Sequence, residues 1–275
     1  MKLLRVGDKG KEKPALLDGN NLRDISSLVP DITGAVLADL SRIKAADLSK
    51  LPVISGNPRI GVPIANIGKV VGVGLNYSDH AEALGKPKPD EPILFLKPND
   101  TLVGANDTVR KPKTAQKLDW ECEVVIVIGK QGLNIAEADA MNHIAGWALA
   151  NDYTARWFQN DRGGQWDKGK CGNDFTPLGP WFVSKDEIAD INNVKMWADV
   201  NGKRYQDGTS SNMFFKPAFL VSYISEFMTL YPGDVILTGT PAGVGMLQKP
   251  PMFLNVGDEV KLGIAGLGEQ SQKIV

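Results

Sequence analysis

Three carboxylates at every second position, Asp119, Glu121 and Glu123, open the stretch 118–129, which reads LDWECEVVIVIG. The β-branched run 124–128 behind them favours a strand, in which residues two apart share a face. One face then carries the three acids with Val125 and Val127, and the other carries Trp120, Cys122, Val124, Ile126 and Ile128. So apolar a strand belongs inside, where three aligned like charges require something cationic. Neighbouring bases such as Lys117 and Lys130 are one answer. A hard divalent cation is the other, since carboxylate oxygens are the ligands that Mg²⁺, Mn²⁺ and Ca²⁺ prefer. Spacing alone leaves both open, and Asp152, at the end of the apolar run 145–152, is a further acid that could converge on them.

Positioning such a cluster takes a substantial core, and 275 residues with 43% hydrophobic content supply one main domain and a small additional one. Thirty-one basic and 32 acidic residues leave a net charge of −1, so neither nucleic acid nor a membrane surface is an expected partner. The two cysteines, Cys122 and Cys171, form no disulfide framework and no zinc pattern. A reducing cytoplasm is therefore the expected compartment. Residues 1–14 lack the apolar segment of a signal peptide, and no run is long enough to span a membrane. With only His80 and His143 available, a His-rich zinc site is excluded.

In chain order, residues 1–67 read as a small separate N-terminal domain and 68–275 as the main one. The first contains short strand-like runs and a partly helical stretch over 31–51, with Val36, Leu40 and Ile43 at helical spacing. A strand-like run at 70–73 leads into GLNYSDHAEALG, where Ser78 is a candidate cap for a short helix ended by Gly85. The third glycine of a dinucleotide fingerprint would fall at Tyr77, so that reading fails. After a strand at 93–96, Asn134 and Glu137 suggest a capped helix to His143. The long loop 153–180 concentrates Arg156, Gln159, Arg162, Trp166 and Lys170, and loops of that length more often bind than merely connect. Trp166 is the tryptophan best placed for substrate contact. Asn201-Gly202 marks a hairpin, Pro217 opens a helix with Leu220, Ile224 and Phe227 inward, and Pro232-Gly233 fits a type II turn. Many strands with few helices indicate an α+β fold with mixed sheets.

Taken together, GLNYSDHAEALG, LDWECEVVIVIGK, WALANDYTARWFQ, KGKCGNDFTPLGPW, VNGKRYQDG and PGDVILTGTPAGVG resemble the fumarylacetoacetate hydrolase family. The segments GGQWDKGK and MLQKPPMFLNVGD are closer to its bacterial branch of ureidoglycolate lyases and 2,4-diketo-3-deoxy sugar acid hydrolases. The resemblance implies a β-roll of mixed sheets, a homodimer, and Mg²⁺ or Mn²⁺ (Ca²⁺ in some crystals) in the site. It places the metal carboxylates on Glu121, Glu123 and Asp152, and the catalytic lysine and histidine on Lys170 and His80. Arg156, Gln159, Thr240 and Tyr77 fall at positions that meet the substrate.

One departure stands out. Many relatives carry a glutamate three residues after the histidine, and here that position is Ala83. Glu82 is the catalytic substitute if an irregular turn brings it round, Asp79 is the other acid at hand, and the third alternative is chemistry that needs no such base. Cys171 replaces a common serine and is read as a near-isostere rather than a nucleophile. The implied chemistry is metal-dependent hydrolysis of a C–C bond in a 2,4-diketo acid (an acylpyruvate or a diketo-deoxy sugar acid) through a metal-held enolate. Lyase, isomerase, hydratase or decarboxylase action on a 2-oxo acid, ureidoglycolate cleavage included, is the alternative from the same residues.

Overall fold

The computed structural model describes residues 1–275. Its central strand, Cys122–Ile128, is buried at all seven positions. The expected alternation is borne out. Cys122, Val124, Ile126 and Ile128 enter the larger core with Trp120, Trp147 and Leu149. Val125 and Val127 enter a second core with Ile25, Ile32 and Ile43. A strand covered on both faces needs a nearly continuous apolar run, which is what these residues provide.

On one side the central strand pairs antiparallel with Ile144–Asn151, and on the other antiparallel with Val235–Leu237. Beyond the latter lie Val70–Gly74, parallel to it, and the edge strand Ile93–Lys97, antiparallel. In the other direction the sheet continues through Phe182–Ser184, Lys2–Val6, Lys13–Asp18 and Asn21–Asp24. With Leu102–Gly104 and Thr176–Leu178 this makes eleven strands of mixed direction. An antiparallel four-stranded sheet, in the order Lys203–Thr209, Lys195–Val200, Glu259–Ile264 and Gly268–Lys273, packs against the Cys122 face. The expected α+β fold with mixed sheets is present.

Residues 1–67 supply three strands of this sheet and part of the cover of one face. Lys2 pairs with Val183, and Ile25, Ile32, Leu37 and Ile43 cover the Val125 and Val127 face. The stretch 31–51 forms two short helices, Gly34–Ala38 and Ser41–Lys44, and a 3₁₀ turn at Leu48–Lys50 rather than one helix. The first of these breaks at Asp39, whose backbone is extended. Asn134 adopts a left-handed conformation and caps nothing; the helix starts at Glu137 and lasts one turn. In the helix Pro217–Phe227, Leu220 and Ile224 are buried, but Phe227, its last residue, is 59% exposed. The hairpin holds: Asn201 and Gly202 both have positive φ, as a two-residue turn of the primed type requires. No helix is long and apolar enough to cross a membrane.

Candidate functional site

Antiparallel pairing decides what meets at the start of the central strand. The N-terminal end of Cys122–Ile128 lies beside the C-terminal ends of both its neighbours. On one side, Asn151 pairs with Cys122, and the next residue, Asp152, donates its backbone N–H to the Glu121 carbonyl at 2.9 Å. On the other, the chain leaving Leu237 runs past the acids as Thr238, Gly239 and Thr240. The Gly239 N–H donates to Glu123 Oε2 at 2.7 Å, and the Thr240 hydroxyl donates to the Cys122 carbonyl at 2.9 Å. Thr154 and Ala155 then pair with Asp119 and Leu118, which delivers Arg156 and Gln159 to the same place.

Six buried charges therefore sit in direct contact around Glu121. Lys170 Nζ donates to Glu121 Oε2 and Asp152 Oδ2, each at 2.6 Å. Arg156 donates to Glu121 Oε1 at 2.6 Å and to Asp119 Oδ2 at 2.8 Å, and its third nitrogen reaches Gln159 Oε1 at 3.1 Å. Lys97 holds Asp152 from a further direction. Burial pushes the Glu121 carboxyl up, but Lys170 and Arg156 outweigh it and hold the group at about 2. Glu123 has no base of its own. Burial, with Asp152 and Glu121 as like-charged neighbours, raises its carboxyl well above the usual range.

That imbalance tests whether a metal fits. Carboxylate oxygens of Glu121, Glu123 and Asp152 lie within 4.8 Å of one another. Oxygen-only donors at that separation suit a hard divalent ion, and Glu123 is the acid left without a cation. The residues present fit Mg²⁺ or Mn²⁺ as ligands.

Above the acids opens a cavity of about 390 Å³. It is lined by His80, Glu121, Glu123, Arg156, Gln159, Lys170 and Thr240 together with Leu84, Ile93, Phe95, Trp166 and Met246, and Lys86 and Asn160 add two further polar groups. Lys170 Nζ lies 5.0 Å from the centre of the Phe95 ring, and that ring is 6.2 Å from Trp166. Trp166 rests directly on Gly74, where a Cβ would come within 1.9 Å of the indole. The tryptophan singled out in the long loop is thus in the wall, and only glycine permits it there.

His80 reaches the cavity while 93% buried (7% exposed), and its Nδ1 has no hydrogen-bond partner. Burial lowers its pKa below the ordinary value, against the pull of Glu121, so the imidazole is neutral at pH 7. Two expected residues are not brought in. Tyr77 is wholly buried beneath the helix it precedes, with its hydroxyl on the Met196 sulfur at 3.3 Å. Glu82 is exposed, because the helix Ser78–Ala83 is regular and turns it away from the side His80 occupies. Asp79 is engaged elsewhere: it accepts from the backbone N–H groups of His80 and Ala242.

Two participants were not assigned a role from sequence. Asp119 belongs to the aligned acids, yet it anchors Arg156 and accepts from Gly245 N and Met246 N rather than joining the metal carboxylates. Lys97 shares the inward face of its strand with Phe95, and a lysine at a buried strand position was the available signal. Cys171 is half-buried, and burial pushes its thiol up, so it is no activated nucleophile. Cys171→Ser should leave turnover within about twofold, the scale of a substitution that touches no reacting group. A tenfold loss in a steady-state assay would contradict this.

The chain also matches known proteins over most of its length. The family described as fumarylacetoacetate (FAA) hydrolase C-terminal matches residues 69–275. A Burkholderia ambifaria protein, named provisionally as a hydrolase, is 50% identical over 276 residues, spanning 99% of this chain and 98% of its own. Among solved structures, the fumarylacetoacetate hydrolase of Exiguobacterium antarcticum superposes with a TM-score of 0.90 at 30% identity, covering 100% of this chain and 99% of that one. The 5-carboxymethyl-2-hydroxymuconate delta-isomerase of Mycobacterium smegmatis gives 0.77 at 31% identity, covering 100% and 98%.

Proposed function

The chain belongs to the fumarylacetoacetate hydrolase family and is an enzyme of it, and from that premise we propose that it hydrolyses the C3–C4 bond of an acylpyruvate, using Mg²⁺ or Mn²⁺. One observation carries the reading: Glu121, Glu123 and Lys170 line a cavity that also carries Leu84, Ile93, Phe95, Trp166 and Met246, and Asp152 converges on the two glutamates from behind that wall. Bound at those carboxylates, the divalent ion would supply the Lewis-acid polarisation that eases negative charge onto the carbon next to a 2-oxo group.

The chain's own groups do the rest. Neutral His80, with Nδ1 free, takes a proton from water as the water oxygen attacks C4. The C3–C4 electron pair leaves with C3, so pyruvate departs as its enolate and takes at C3 the proton that the imidazolium holds, while C4, which has gained the water's hydroxyl, becomes a carboxylic acid that then ionises. Lys170 holds its proton firmly, because Asp152 and Glu121 outweigh its burial, and so remains a cation facing the anionic oxygens. Arg156, fixed by Asp119 and Glu121, presents Gln159 toward the substrate. Thr240 is held in place by Gln206 at 2.8 Å.

The apolar lining favours acylpyruvates over diketo sugar acids. Leu84, Ile93, Phe95, Trp166 and Met246 outnumber the polar Lys86 and Asn160 there, so most of a row of hydroxyls would meet no partner, and each hydroxyl desolvated without one is penalised. Pyruvate release should be followed with Mn²⁺ and acylpyruvates of increasing tail length, a 2,4-diketo-3-deoxy sugar acid, oxaloacetate and ureidoglycolate. We expect acylpyruvates to lead the sugar acid by about 10-fold or more in kcat/KM, on the scale of an unpaired polar group. A preference for the sugar acid overturns the substrate class.

A second reading, isomerase or lyase action, is favoured by the bare imidazole of His80, which no carboxylate orients. The resemblance of the fold to both a hydrolase and a delta-isomerase is compatible with it. The proposal also includes a small N-terminal unit over 1–67, supported by the family match beginning at residue 69, and a cytoplasmic homodimer, supported by two free cysteines and the family likeness. Sedimentation velocity tests the dimer.

A further inference from the structure

Lys97 is the one cation of the cluster outside the cavity wall. Its side chain is wholly buried, and its ammonium sits between Asp152 Oδ1 and the Phe175 carbonyl, the latter at 3.2 Å. Asp152 does not line the cavity either. Its Oδ2 belongs to Lys170, which does line the cavity, and its Oδ1 belongs to Lys97. The two lysines thus clasp the carboxylate from opposite oxygens, one from the substrate side and one from beneath.

The chain could have used a neutral donor at that place. A buried lysine is costly to desolvate, and burial does push this ammonium's pKa down against the attraction of Asp152. What a charge adds is compensation. Asp119, Glu121 and Asp152 are in contact with three bases, Arg156, Lys170 and Lys97, and Glu123 beside them is a fourth acid with no base of its own. Arg156 and Lys170 each divide their contacts between two acids, whereas Lys97 serves Asp152 alone.

We propose that Lys97 is a positioning residue that acts through Asp152: a counter-cation, ion-paired to the oxygen that Lys170 leaves free, that keeps the acid cluster assembled without metal and limits the charge a divalent cation meets there. The inference rests on the metal reading of Glu121, Glu123 and Asp152 and goes beyond it. The same charge has two opposite consequences. It stabilises the metal-free cluster, because an unpaired buried carboxylate is strongly unfavourable. It also repels the incoming ion, because like charges a few ångströms apart in a dry site interact strongly. By linkage, Lys97 and the divalent ion must each weaken the protein's need for the other.

The edge strand strengthens the case. Lys97 stands two residues after Phe95, on the same inward face, and the Phe95 ring lies under Lys170. One short strand therefore sets the cation beneath Asp152 and the surface under the other lysine that holds it. Register here is fixed by the pairs Val70↔Lys97 and Gly72↔Phe95.

The test is Lys97→Gln, which keeps a donor without the charge, with Lys97→Arg as the charge-retaining control. Mn²⁺ affinity by calorimetry and thermal unfolding with and without Mn²⁺ are read on the full chain. For Lys97→Gln we expect the metal-free protein to melt lower, the Mn²⁺-induced rise to exceed that of the unmodified chain, and Mn²⁺ to bind about tenfold or more tightly, equivalent to about 1.4 kcal/mol. Lys97→Arg should restore all three toward the original values. Equal lowering of the melting point with and without Mn²⁺, or unchanged or weaker Mn²⁺ affinity, overturns the proposal, since a merely structural ion pair would give that result. Recovery of the Gln variant in folded form only with Mn²⁺ supports it, and failure to fold even at saturating Mn²⁺ overturns it. If the unmodified chain binds no Mn²⁺, the metal reading itself has failed.

Discussion

Glu123→Gln should bind Mn²⁺ more than about tenfold less tightly, a loss exceeding about 1.4 kcal/mol. Turnover at a fixed low Mn²⁺ concentration should fall by about 10²-fold or more, the scale seen when a charge-stabilising group is removed from a reaction centre. The fold should survive, for a reason particular to this carboxyl. Glu123 is buried beside Asp152 and Glu121, its one hydrogen bond comes from the Gly239 N–H, and its pKa is raised well above 4.5. A raised pKa means that the folded state binds the proton more tightly than the unfolded chain does. The associated stability is complete below about pH 4.5 and is lost as pH rises through the folded value. At neutral pH the metal-free protein therefore carries a penalty that a neutral amide removes. We expect the metal-free variant to melt at or above the unmodified protein, with the difference growing from pH 5 to pH 8, while the Mn²⁺-induced rise disappears. Glu121 has the opposite sign: its carboxyl, held at about 2, contributes stability above pH 4.5 that fades as pH falls toward 2. Unaltered Mn²⁺ binding in Glu123→Gln would remove that residue from the ligand set.

Why Glu123 could be singled out from sequence, while Lys97 was not, follows from the range of the forces involved. Strand alternation is local: once 124–128 is a strand, the face of Glu121 and Glu123 is decided by the two-residue period. The two cores divide the central strand along that alternation. Hairpin chemistry at Asn201-Gly202 is local too, because it depends on residues that tolerate positive φ. Lys97 acquires meaning only from Asp152, 55 residues away, across strands that are not neighbours in the sheet. Tyr77 failed as a substrate contact for a similar reason, since its surroundings are set by Met196, 119 residues on. The stretch 31–51 shows the converse: its apolar spacing is helical, but burial of Leu37 and Ile43 against the sheet is met by two short helices with a break at Asp39. Motif resemblance located the acids, Lys170 and His80 together, a convergence that no single local pattern carries.

The remaining large effect concerns His80. Its replacement by alanine should lower hydrolysis by about 10²–10⁴-fold, the usual contribution of a positioned general base. The structure also says what this base lacks. Nδ1 is buried with no partner, Asp79 is committed to backbone N–H groups, and Glu82 is exposed. Ala83 lies three residues on, one helical turn from His80 and at the exposed edge of the helix Ser78–Ala83. Side chains three apart on a helix are neighbours, so Ala83→Glu brings a carboxylate within reach of the imidazole. Opposite charge nearby favours the protonated ring and raises its pKa, now held low by burial. Since the neutral ring is the base, the acidic limb of the kcat/KM profile should move to higher pH in Ala83→Glu, while hydrolysis at pH 8 rises. Glu82→Ala should alter neither the rate nor the profile by more than about twofold, as for an exposed side chain away from the reacting groups. Steady-state pH profiles of the three variants on one acylpyruvate decide the matter. If Glu82→Ala abolishes turnover and Ala83→Glu is inert, Glu82 reaches the imidazole in the working enzyme, and the bare histidine described here is not the catalytic state.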